Sequence, residues 1–184
     1  MIKAIHLPQV EELQKREMEI PGLIDSLKDR SGNFFNSCLE WIHELSDYMK
    51  KNNIPESADI SLLEGRLIMA ERGQVEGDIA FKSRASKSKI KEAVGVEALR
   101  EAQNVILRII QNPVMRIEEA ASLIRQICAI AEHKGLLQNR TFSPNHIESL
   151  IAELKDDPDL TNGIVKLNGM LPQIDLIILF DRCI

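Results

Sequence analysis

Apolar residues recur at helical spacing along nearly the whole chain, and no run of period-two alternation in β-branched residues interrupts them. The clearest stripe follows Gly32-Asn33, where Phe34, Cys38, Trp41, Leu45 and Tyr48 lie on one face and Phe35, Ile42 and Met49 widen it. This predicts a helix from Phe34 to about Lys51, with Trp41 buried. Asn52-Asn53-Ile54-Pro55 stops it, because a proline disfavours helical geometry in the residue before it. Upstream, Val10, Leu13, Glu17 and Ile20 give a weaker pattern that Pro21-Gly22 breaks or kinks before Leu23, Ile24 and Leu27. Downstream, Ser61 and Glu64 match a capping box, predicting a helix start at Ser61 that carries Leu63, Leu67 and Ala70 and closes at Gly73.

Residues 73–87 form the longest candidate loop, expected to be flexible. Ile90, Val94, Ala98, Ala102, Val105 and Ile109 then trace a long helix expected to end at Asn112-Pro113. From Arg116 to His133 apolar residues occupy much of the circumference, which predicts a central helix, closed by Gly135. Ser143-Pro144 and Asp157-Pro158 each read as a cap followed by proline in the first helical position. After Pro172, residues 173–184 read as a last helix rather than a strand. The expected fold is an all-α, single-domain helical bundle over 1–184, of about seven or eight helices, with a central buried helix near 116–133.

With 44% hydrophobic and 28% charged residues, the chain has the composition of an ordinary globular protein and not of a disordered, collagenous or disulfide-scaffolded one. Cys38, Cys128 and Cys183 are three in number and far apart, which points to free thiols in a reducing, cytoplasmic or otherwise intracellular compartment. The amino terminus shows no signal-peptide pattern, and the longest apolar run, Leu176 to Phe180, is far too short to span a bilayer. Membrane insertion is not expected.

Formal net charge is −5, from 23 basic and 28 acidic side chains, so the overall field repels polyanions. One window runs against it: Lys82, Arg84, Lys87, Lys89 and Lys91 place five cations within ten residues that hold no acid. Phe81 beside the window suits base stacking, and Ser83, Ser86 and Ser88 would make docking there sensitive to phosphorylation. These five residues are the candidate site, for single-stranded nucleic acid or for an acidic patch on a protein. They are expected to be solvent-exposed.

Other chemistry is sparse. Glu40 and His43 form one Glu-x-x-His pair where a di-metal bundle needs two, and no other metal-ligand spacing occurs, so neither a metal nor a cofactor is expected. Cys128 and Cys38 lie among apolar neighbours and read as inert core thiols. No nucleophile elbow or phosphate-cradling glycine loop is present, so no catalytic residue is assigned and the balance leans away from an enzyme. Arg140 and His146 are similar in spacing to the Arg-to-His pair of the helical ribonucleases called HEPN domains, although Pro144 lies between them. Ile127-Cys128-Ala129, followed by Glu132-His133-Lys134-Gly135, resembles the central helix and its exit in poxviral proteins of Bcl-2-like fold, which implies an intracellular helical protein that binds other proteins. That likeness is confined to those residues and does not make the chain a member.

The leading functional expectation is a non-enzymatic, regulatory protein–protein interaction module, with a homo-oligomer compatible with it. An RNA- or single-stranded DNA-associated protein using residues 82–91 is the alternative, and a HEPN-like ribonuclease the distant one.

Overall fold

The computed structural model describes residues 5–28, 33–74, 86–137 and 144–184. Among them are seven helices and no strand: α1 (Leu7–Lys28), α2 (Phe34–Lys51), α3 (Ser57–Glu71), α4 (Lys87–His133), α5 (Pro144–Asp156), α6 (Thr161–Met170) and α7 (Gln173–Cys183). The fold is all-α. It divides into two compact units, an amino-terminal one of Pro8–Ile110 and a carboxy-terminal one of Met1–Leu7 with Gln111–Ile184.

In the amino-terminal unit each helix runs antiparallel to the next. Gln9 meets Asn52, Arg16 meets Glu44 and Trp41 Nε1 donates to Glu19 across α1 and α2. Across α2 and α3, His43 meets Glu64 and Ser46 meets Ser61; across α3 and α4, Asp59 meets Arg108 and Arg66 meets Glu101. Gln103 donates to Glu17 and ties α4 to α1. The predicted stripe supplies the core: Phe34, Phe35, Cys38, Trp41, Ile42, Leu45 and Met49 are all buried. Each such side chain contributes roughly 1.5–3 kcal/mol by leaving water.

The bounds of α2 agree with the expectation, but its stop rests on Asn53 as much as on Pro55. Asn53 takes a left-handed φ of 55°, its N–H bonds the Lys50 carbonyl at 3.0 Å, and the Ile54 N–H bonds the Met49 carbonyl at 2.9 Å. This pair of hydrogen bonds satisfies carbonyls that the helix end would leave open, and Ile54 is buried. Gly73 and Gly135 close α3 and α4 in the same way.

Four expected boundaries are crossed or shifted. α1 continues through Pro21, and α4 continues through Pro113, so the segments near 90–112 and 116–133 are one helix. A proline inside a helix costs about 3 kcal/mol, through one missing N–H and a ring clash. In α4, Ile106, Ile109 and Ile110 before the proline and Ala120 and Ile124 after it are buried. Burial on both sides outweighs the local defect. The start of α3 also precedes Ser61 by a turn. The Ser61 hydroxyl donates back to the Ser57 carbonyl at 2.9 Å, and Glu64 turns to His43, so no capping box forms. Similarly, α6 begins at Thr161, because Asp157 is spent on a turn in which its carboxylate accepts the Asp159 N–H at 2.9 Å.

In the carboxy-terminal unit, Ala120, Ile124, Ile127, Cys128 and Ala131 of α4 pack with Ile147, Leu150 and Leu154 of α5, Ile164 and Leu167 of α6, and Leu176, Leu179 and Phe180 of α7. The α4 segment is thus a core helix on one face only: Ala129 and Ile130 point outward, the latter 43% exposed, where the sequence suggested an apolar wrap. Leu7 joins this core, its N–H donating to Oδ1 of the buried Asp175 at 3.0 Å. No described helix is long and apolar enough to cross a membrane.

Candidate functional site

The amino-terminal unit has a cavity of about 1140 Å³ at the end where α2 and α4 begin and α1 and α3 finish. Leu27, Phe34, Phe35 and Ala70 are its apolar wall, and Arg72, Lys87, Lys89 and Lys91 bring four cations against the acids Glu71 and Glu92. Three of the five sequence-predicted residues therefore converge on one feature, and Lys82 and Arg84 lie outside the described residues, as does Phe81.

Their setting differs from the expected loop. Lys87, Lys89 and Lys91 stand on the first turns of α4, whose opening turn carries no acid. The finishing turns of α1 and α3 at this cavity carry partial negative charge, but the start of α4 holds partial positive charge and unpaired N–H groups, so lysines there add to a locally positive potential. Ser86 relieves it in part: its hydroxyl accepts the Lys89 N–H at 3.4 Å and its carbonyl accepts the Ile90 N–H at 3.1 Å. Ser88 is tied to Glu92 at 3.0 Å. Lys87 and Lys89 are exposed as expected, but Lys91 is half-buried, its Nζ lying 5.3 Å from the centre of the Phe35 ring. A long lysine stem buries readily along an aromatic wall while the charge is held by the ring face.

Arg72 was not foreseen. It is the residue that caps α3, and nothing in the local sequence except the following Gly73 marks it; only the antiparallel return of α3 brings it to the lysines.

The remaining candidates separate. His43 Nδ1 lies 2.6 Å from Glu64 and its Nε2 3.6 Å from Asp47, and Glu40 is exposed. The hydrogen bond to Glu64, with the charge of Asp47 beside it, holds the His43 pKa above its ordinary value. Burial pushes the Cys38 thiol up to about 12 and, with Cys183 nearby, the Cys128 thiol up to about 11, the reverse of what a nucleophile needs. His146 is exposed on the first turn of α5, and Arg140 lies outside the described residues. Among the described residues no three His, Cys, Asp or Glu side chains are placed to hold a metal ion.

Compared with known protein families, with curated proteins and with solved structures, the chain matches none.

Proposed function

We propose that this is a non-enzymatic interaction protein that docks an acidic segment of a partner protein on the basic cavity of its amino-terminal unit. The observation that carries the reading is the gathering of Arg72, Lys87, Lys89 and Lys91 around an apolar wall in a chain of net charge −5. Lysines at the amino-terminal end of α4 are unfavourable for the free protein, and a carboxylate-rich ligand relieves that cost.

Burial of the aromatic rings favours a peptide over single-stranded nucleic acid. Phe34 and Phe35 are 4% and 6% exposed, and Lys91 covers the Phe35 ring, so neither offers a face on which a base could stack. The test is fluorescence anisotropy on the full chain with a labelled Asp/Glu-rich peptide bearing Leu and Phe, and with single-stranded RNA, at two salt concentrations. Peptide binding that weakens in the Arg72→Gln, Lys87→Gln, Lys89→Gln triple variant supports the reading. RNA binding with a salt slope that flattens in the variant moves the cavity to nucleic acid. Binding of neither probe, or binding unchanged in the variant, rejects the proposal.

A further inference from the structure

A second surface of the amino-terminal unit lies on its far side in sequence terms, between the middles of α3 and α4. It is a groove of about 510 Å³ whose α3 wall carries Asp59, Leu62, Leu63 and Arg66 and whose α4 wall carries Glu101, Asn104, Val105 and Arg108. Both walls have one pattern: an acid at position i, the central pair at i+3 and i+4, and an arginine at i+7, all on one helical face. Because the helices are antiparallel, each acid meets the other wall's arginine, Asp59 with Arg108 at 2.7 Å and Glu101 with Arg66 at 2.8 Å. Leu63 and Val105 are buried beneath, while Leu62 stands 70% exposed on the lip.

This pattern reads the same in reverse. Turning a helix end for end about the point between positions i+3 and i+4 exchanges acid with arginine and leaves the centre in place. We propose that this groove is an isologous interface for a second copy of the chain, packed antiparallel, α3 on α3. A two-fold axis passing between Leu62 and Leu63 sets Asp59 of each copy against Arg66 of the other and inserts each exposed Leu62 over the other's groove floor. Glu101 and Arg108 add the same complementarity on the neighbouring wall. The intramolecular ion pairs are no obstacle: their side chains are 41% to 63% exposed, and pairs so exposed hold little energy and rearrange readily.

The experiment is light scattering behind size exclusion, with sedimentation over a range of concentrations, on the full chain. The wild type is expected to dimerise, and Leu62→Glu to raise the dimer dissociation constant about tenfold or more with unchanged helical circular dichroism. Asp59→Arg and Arg66→Asp alone are each expected to be monomeric, because each sets like charges face to face. Mixed together they restore opposite charges at both ends and form a heterodimer of the two variants. A wild type that stays monomeric overturns the proposal. So does a dimer indifferent to Leu62→Glu, or a mixture of the two charge variants that fails to associate.

Discussion

Trp41 joins two helices with one side chain. It is 6% exposed, and its Nε1 reaches Glu19 on α1 at 2.9 Å, so the ring fills the core while its one donor is satisfied. Trp41→Ala is expected to cost about 3–5 kcal/mol in urea unfolding, and native fluorescence should peak at the short wavelength of a shielded indole. Ser46 shows a neater economy of protons: fully buried, it faces Ser61 at 3.0 Å, and since the Ser61 hydrogen goes to the Ser57 carbonyl, Ser46 is the donor. His43 carries a pH dependence. Its folded pKa lies above the unfolded value of roughly 6.5, held there by the Glu64 hydrogen bond and then by Asp47. The stabilisation from this cluster is therefore fully present below the unfolded pKa and is lost as pH rises through the folded pKa. Unfolding midpoints of wild type and His43→Gln should differ most at mildly acidic pH and converge toward alkaline pH; NMR titration of the ring would give the folded value directly.

At the level of helices, two glycines make opposite forecasts. A Cβ at Gly95 would come 3.0 Å from Cε1 of the buried, rigid Phe34 ring and 3.6 Å from Sγ of Cys38, whereas at Gly163 it would come 3.0 Å from Cδ1 and 3.3 Å from Cγ1 of Ile127, the far end of an aliphatic side chain that can change rotamer. Alanine gains about 1 kcal/mol over glycine inside a helix, and overpacking a rigid core costs about 1–3 kcal/mol. Gly95→Ala should accordingly lower the unfolding free energy, and Gly163→Ala should leave it level or raise it. The same balance explains which helices the sequence makes legible. The stripe from Phe34 to Tyr48 and the glycines after α3 and α4 work through contacts a few residues apart, so spacing alone reveals them. Pro113 does not break its helix because tertiary burial on either side overrides a local defect, and burial is not written in the neighbouring residues; α1 also continues through Pro21, with buried side chains only on the amino-terminal side of it. Ser61 fails as a cap for a related reason: the α2 face opposite it offers Ser46 and His43 as better partners for Ser61 and Glu64.

Across the whole sequence, acids outnumber bases, and five of the 23 basic residues stand together within ten positions that hold no acid. The lysine window was legible because charge density is a property of sequence, whereas Arg72 and the apolar wall belong to the cavity through the fold. Lys87→Gln with Lys89→Gln should leave stability unchanged or raise it by about 0.3–1 kcal/mol, since like charge is removed from the positive pole of α4; thermal unfolding would register the direction. A gain in stability paired with a loss of binding is the mark of residues kept for a ligand. The clasp between Leu7 and Asp175 bears on how the protein is made. The carboxylate that receives the Leu7 amide is separated from it by 168 residues, so during synthesis it follows on the order of ten seconds or more later. The helices of the 8–110 unit leave the ribosome in sequence, but Leu7, at the head of the first of them, has no Asp175 carboxylate to bond until α7 has been translated. The hydrogen bond that fixes the start of α1 is thus among the last contacts of the molecule to close, and until then that end of the helix stays open to a protease or a chaperone.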